Sequence, residues 1–314
     1  MKDFTSTGFL LKTPSAVDKH VLNGWRASTL QSYNSAVRKF LKFAKENINR
    51  KFELPATEDE IYQFCYWAGR TGEGTDLNKI SGATLTKYLH GLKAWHTYHG
   101  ARYPYLSETK VGLMLKASAR ADVLLIQAKT KHPVMVEHLL LLYGHLSKSD
   151  PLSNVLLDMS IVAFWSMARL GELTCAISHG QLKKDEGIRI ANVRIADDTQ
   201  SATINIHFAK TATGGAVQHL LLTATNNILC PVKALIRRTS QGSGNDSLFG
   251  LTTPSGWKNL TKNYCTTRLQ AVWRGIGLTS LSGHSFRVGG ASLRNALGID
   301  VETICKIGRW TSNC

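Results

Sequence analysis

Cysteine is scarce and scattered in this 314-residue chain. The six residues, Cys65, Cys175, Cys230, Cys265, Cys305 and Cys314, form no CxxC pair, and no histidine cluster stands at zinc-ligand spacing. That argues against structural zinc, and it suits reduced, mostly buried thiols in an intracellular protein. Long apolar runs are lacking too. The most apolar stretch, Ile161 to Ala168, is far too short to cross a bilayer. The start, MKDFTSTGFLLKTPS, has no apolar core of a secretory signal. A soluble protein with no membrane partner is expected. Acidic residues are also few, 22 against 38 Lys and Arg, which leaves a net charge of +16.

The positive balance is spread along the chain. Residues before Pro133 carry 20 basic against 11 acidic side chains, and the remainder carries 18 against 11. A basic tail is therefore excluded, and a grip on a polyanion along the whole length is the natural expectation, with nucleic acid first among polyanions. The bland alternative is a merely basic surface. A chain of this length is comfortable as two domains.

Residues 1 to 24 show no periodicity and read as a flexible arm. From Ser28, Leu30, Tyr33, Val37, Leu41 and Ala44 recur at helical spacing, with Arg38, Lys39, Lys42 and Lys45 opposite. Thr57 to Glu60 is a capping-box signature for a second helix. Leu85, Tyr88, Leu89, Leu92 and Trp95 mark a third, with Lys87, His90 and Lys93 off its apolar side, and a short fourth covers about Val111 to Ala117. Residues 25–117 thus read as a helical bundle whose Lys87 and Lys93 are candidate DNA contacts, or simply a solvated face. Residues 118–133, with Lys129 and Lys131 before His132-Pro133, read as a linker that adds two more candidate contacts.

Residues 134–314 form the second domain. It opens with Leu139 to Leu146. Asp150-Pro151 then caps a helix that is apolar nearly all round and therefore central. Short strands follow at Gly187 to Ile195, Ala202 to Phe208 and Ala216 to Leu222. Helices are expected again over Pro231–Arg238, Trp257–Trp273, Ser282–Leu297 and Asp300 to about Ile307. The fold class is mainly α with a small antiparallel sheet.

Four places carry polar chemistry that this pattern does not need. Arg169 stands at the end of the most apolar helix and must find an anion or a partner, Glu172 being three residues on. Lys210 shares the parity of Ile204, Ile206 and Phe208, so it either continues the inner face of a strand or is a turn lysine. Ser282 is an N-cap candidate that sets His284 and Arg287 at i and i+3 in the first turns of a helix, a good phosphate site or a capped surface helix. Gly289, Gly290 and Ala291 then permit close packing. Trp310 is a donor-only indole or a core ring.

Taken in order, ARLGELT, HFAKTATGG, GHSFRVGGAS and GRWTS resemble the motif boxes of the tyrosine recombinase (phage integrase) family, and the GRW form is similar to Crypton- and DIRS-type mobile-element recombinases. The resemblance spans residues 25 to 314 and implies a SAM-like core-binding domain before an α+β catalytic domain acting on double-stranded DNA, with a homo-oligomer, a tetramer on DNA, as the working form. It implies that Arg169 and Arg287 grip the non-bridging oxygens of the scissile phosphate. His284 would assist proton transfer, Lys210 would protonate the leaving 5′ oxygen, Trp310 would donate to the phosphate, and Glu172 would orient its neighbours. No metal and no cofactor are implied. If the host is eukaryotic, a nuclear address follows from the substrate. The family's nucleophilic tyrosine would fall a few residues past Cys314, and the only tyrosine after Lys210 is Tyr264, upstream of His284. The expectation is therefore a recombinase-type chain, truncated before its nucleophile, that binds DNA and does not cut it alone. The alternative is a non-enzymatic DNA-binding protein domesticated from a mobile element.

Overall fold

A computed structural model describes residues 1–71, 79–125, 132–183, 186–207 and 216–310. The chain divides into two compact units, Met1–Lys129 and Thr130–Cys314.

The first unit is helical: α1 Ala16–Asn23, α2 Ala27–Asn47, α3 Glu58–Ala68, α4 Gly82–Tyr98 and α5 Glu108–Leu125. The capping box at Thr57 is present, Thr57 Oγ1 accepting from Glu60 N while Glu60 accepts from Thr57 N. Phe40 sits at the centre, edge-on to Phe52, Phe64 and Trp95. Such pairs add roughly 0.5–1.5 kcal/mol each beyond the area they bury. Helices α2 and α4 touch at Gly91, where a β-carbon would lie 2.8 Å from that of Ala36.

Two expectations change in this unit. The N-terminal arm is not loose. Phe4 is fully buried among Trp25, Tyr33 and Tyr98, its N–H donates to Asn34, and the carbonyl of Ser6 accepts from the Trp95 indole at 2.7 Å. These partners lie tens of residues away, so no local periodicity announces them. The fourth helix also runs on to Leu125, through half of the segment read as a linker. Asp122 explains the extension: its carboxylate accepts from Arg70 at 2.8 Å and from Gly82 N at 2.7 Å, tying α5 to the start of α4.

The second unit is built on α7 (Pro151–Trp165), buried on every side, with α6 (Val136–Leu146) beside it. Asp150 caps α7 by accepting from Leu152 N and Ser153 N, and Pro151 takes the first position. A short helix α8 (Leu170–Leu173) follows. Then β1 (Val193–Ile195), β2 (Ser201–Ile206) and β3 (Gln218–Thr223) form an antiparallel meander. Ala202, Ile204 and Ile206 face inward, Ile204 opposite Leu220. The first strand is shorter than expected because a 3-10 turn occupies Ile190–Asn192.

Helix α9 (Pro231–Thr239) leads to a second hairpin, β4 (Gly250–Thr253) with β5 (Gly256–Asn259). This hairpin replaces the start of the helix expected from Trp257. Pro254, Ser255 and Gly256, the last at φ +100°, make the turn. The helix, α10 (Lys262–Gly275), begins only after Thr261 caps it. Helices α11 (Ser285–Ala296) and α12 (Val301–Gly308, capped by Asp300) complete the described unit. A β-carbon at Gly289 would lie 1.8 Å from the Val134 carbonyl oxygen, and one at Gly290 would lie 2.2 Å from that of Phe164. Two glycines thus let α11 meet α7 and the segment just before α6 backbone to backbone.

Candidate functional site

Arg169 does not end the apolar helix. Helix α7 stops at Trp165, the chain turns through Ser166 to Ala168, and Arg169 is the N-cap of α8. Glu172 bonds back to it twice, accepting from the Arg169 backbone N–H at 2.9 Å and from its guanidinium at 2.8 Å. The structural ion pair weighed from the sequence is therefore real. It is also not the whole arrangement, because the second Glu172 oxygen accepts from Arg309 as well, at 2.8 Å.

One carboxylate, 6% exposed, thus joins two guanidiniums, Arg309 at 11% and Arg169 at 31%. Burial pushes the Glu172 carboxyl up, but Arg309 and Arg169 outweigh it and hold the group below its ordinary value. Arg309 also donates to Gln218 of β3 at 3.1 Å. Three segments far apart in sequence, α8, the end of α12 and β3, are locked by these contacts.

Arg287 lies in the same knot. It is fully buried. Its guanidinium donates to the carbonyl of Met167, two residues before Arg169, and to that of Gly308, one residue before Arg309. The indole of Trp310 stacks on it at 4.4 Å and closes over Gly308. Among the described residues three non-glycines have positive φ, and two of them, Met167 (φ 49°) and Arg309 (φ 57°), flank these contacts. Each such backbone costs about 1–2 kcal/mol. Strain of this size persists only where the surroundings overdetermine the geometry.

The third motif differs in detail from the sequence reading. Ser282 is not the N-cap. Its N–H donates to Ser285 Oγ in a turn, and the helix starts at Ser285 with His284 at the cap position, making no side-chain capping bond. His284 is exposed whereas Arg287 is buried, so the two residues of HxxR meet different surroundings. Lys210 lies outside the described residues, as do Lys129 and Lys131. Lys87 is exposed on α4. Lys93 is engaged, paired with Glu108 and lying over the rings of Tyr103 and Tyr105.

Tyr264 is not part of the cluster. It packs on the core of α10 with Lys258 over its ring, and burial pushes its phenol up, away from phenolate chemistry. Arg309 and Gln218 are the residues that sequence reasoning passed over. The signal was available in part, since Arg309 stands between the motif's Gly and Trp, but its partner is 137 residues distant.

Among the described residues no group of His, Cys, Asp and Glu is arranged to hold a metal ion, and no helix is long and apolar enough to cross a membrane.

No family model matches the sequence, and no curated protein matches it. Solved structures do resemble the chain. The XerH site-specific recombinase bound to a palindromic difH substrate in a post-cleavage complex is 16% identical with a TM-score of 0.54, over 99% of this chain and 86% of that one. The Tn1549 transposon integrase in complex with transposon right end DNA is 11% identical with a TM-score of 0.52, over 90% and 91%. A lambda integrase dimer bound to a COC′ core site is 13% identical with a TM-score of 0.51, over 95% and 73%. At these identities the likeness is one of architecture, and it agrees with the order of the motif boxes: the chain has the fold of the tyrosine recombinases and integrases.

Proposed function

We propose that this chain binds duplex DNA and holds one backbone phosphate for strand exchange of the tyrosine-recombinase type. The single observation behind the proposal is the Arg169–Glu172–Arg309 chain joined through Met167 and Gly308 to Arg287 and Trp310. A purely structural ion pair needs one arginine per carboxylate. Here three arginines and one carboxylate gather, leaving a net positive knot suited to a phosphate.

Arg169, the most accessible of the three, meets the phosphate first, together with the exposed His284. Arg287 reaches it by exchanging a carbonyl for a phosphate oxygen, a substitution that keeps its hydrogen bonds filled. The two guanidiniums then stabilise the added charge of the pentacovalent transition state. His284 assists the proton leaving the nucleophile, Lys210 protonates the departing 5′ oxygen, and the Trp310 indole donates and packs. Glu172 orients Arg169, and Arg309 orients Glu172. Lys87, Lys129 and Lys131 add grip on the DNA backbone.

No tyrosine follows Tyr264 in residues 1–314. In this reading residues 1–314 taken alone hold DNA without forming a 3′-phosphotyrosine bond. The GRW form of the last motif extends the proposal to a mobile-element origin, and the family resemblance extends it to an oligomer assembled on DNA.

The test uses a nicked suicide duplex selected for binding from a random pool. Residues 1–314 should retard it on a native gel at about 0.1 M salt and give no covalent band on a denaturing gel. A covalent band overturns the nucleophile reading, and absence of retardation overturns DNA binding.

A further inference from the structure

A second concentration of positive charge lies in the second unit, away from the motif residues. A cavity of about 760 Å³ is walled by α7, by the loop before α9 and by α9 itself. Its polar lining includes Asn154, Asp158, Asn227, Lys233, Arg237 and Arg238. Three cations and one carboxylate thus line the same space, and two of the cations, Arg237 and Arg238, pair with the carboxylate. Asp158 projects from the central helix and is 3% exposed. Arg237 chelates it, with Nε 3.2 Å from Oδ1, and keeps half its side chain in solvent.

Arg238 is the unusual member. Its side chain is 4% exposed, and its Nε stands 2.9 Å from Asp158 Oδ2, an ion pair in which this buried N–H makes no well-aligned hydrogen bond. A guanidinium has five donors in a fixed fork. This one is buried against a carboxylate that Arg237 already occupies, and burial pulls its pKa down from the ordinary value. A buried cation that is only partly compensated is costly and is relieved by an anion. Lys233, one helical turn earlier on α9 and exposed, and the amides of Asn154 and Asn227 stand around the same space.

We propose that this cavity is a second phosphate-binding site, distinct from the Arg169–Arg287 knot, in which Lys233, Arg237 and the buried fork of Arg238 take the oxygens of one phosphate group. The Asp158 carboxylate stays between the arginines and sets their spacing without facing the ligand alone. Two sources present the same chemistry, free inorganic phosphate and the backbone phosphate of a duplex. Nothing in the proposal depends on strand exchange at the first site.

Hydrogen–deuterium exchange on the whole chain tests it, because exchange locates the site. Sodium phosphate is titrated against sodium chloride at matched ionic strength, first with the native chain and then with Lys233→Gln and Arg237→Gln. Both substitutions are at exposed positions and leave the buried Arg238–Asp158 pair in place. The expected result is saturable protection of residues 225–241, needing about tenfold more phosphate in either variant, with protection around 169–172 and 284–290 unchanged. A second arm replaces phosphate with a short duplex. Protection of 225–241 by the duplex, lost in Lys233→Gln together with about one unit of salt slope, assigns the site to DNA backbone. Protection by phosphate and not by the duplex assigns it to a free anion. Unchanged exchange over 225–241 with both probes overturns the proposal, as does protection that the two substitutions leave untouched.

Discussion

Replacing Arg309 by alanine removes its 2.8 Å pair with Glu172 and its 3.1 Å bond to Gln218. The nearly buried carboxylate is then left to Arg169 alone. Breaking a buried pair by deleting one partner costs about 3–5 kcal/mol. Arg169 still compensates the carboxylate, so the loss should sit below that range, at about 2–3 kcal/mol. A second effect separates the possible replacements. Residue 309 has φ +57°, where a β-carbon is unfavourable by about 1–2 kcal/mol and glycine is not. Arg309→Gly should therefore be more stable than Arg309→Ala by about 1 kcal/mol, the reverse of their order inside a helix. Thermal unfolding of the whole chain, followed by tryptophan fluorescence, reads both quantities. For a unit of this size about 1 kcal/mol moves Tm by roughly 2–4 °C, so the alanine variant should fall by about 5–10 °C in the transition of the second unit. A cycle with Glu172→Gln should show a coupling of at least about 1 kcal/mol. An alanine variant within about 0.5 kcal/mol of the native chain would refute the reasoning. So would a glycine variant less stable than alanine.

Acid should erase the same coupling. The Glu172 carboxyl is held below its ordinary value, so its contribution is complete above about pH 4.3 and fades as pH falls through the lowered value. The stability gap between the native chain and Glu172→Gln should shrink below about pH 4 in a denaturation series, and a gap that widens there contradicts the sign. Gly289→Ala must fit a β-carbon 1.8 Å from the Val134 carbonyl oxygen. It should cost about 3 kcal/mol or more, and a loss under about 1 kcal/mol by urea unfolding would show that α11 does not pack so closely. Burial pushes the thiols of Cys65 and Cys265 up to about 12. At about pH 8 roughly one in ten thousand of each is thiolate, so both should resist a disulfide reagent until the chain unfolds. Rapid labelling of either residue in the native protein, located by mass spectrometry, counts against these cores.

Much of the helical frame was legible because its signals are local. Thr57, Asp150 and Asp300 each precede a helix-forming run and each caps it. The apolar character of Ile161 to Phe164 foretold a central helix, and α7 is one. The failures share one cause, which is partners distant in sequence. Phe4 looks like part of a loose tail until Asn34 and the aromatic cluster around it are in place. The hairpin at Gly250–Asn259 was hidden in a stretch whose apolar spacing also fits a helix, and only its Pro-Ser-Gly turn argued otherwise. Around the motifs, Arg169, Glu172, Arg287 and Trp310 were singled out by motif order, and the structure pairs Arg169 with Glu172 and stacks Trp310 on Arg287. Arg309 was not, because a guanidinium beside Trp310 acquires meaning only when Glu172 and Gln218 arrive from elsewhere in the chain.

The central claim is that this knot holds one DNA phosphate, and neutralising a single phosphate tests it most directly. A duplex selected for binding is made with a methylphosphonate at each backbone position in turn and titrated with the native chain and with Arg169→Ala. At one position the native chain should lose about tenfold in affinity, and the variant, already weakened, should lose nothing further there. Equal losses in both proteins at every position would contradict a shared phosphate.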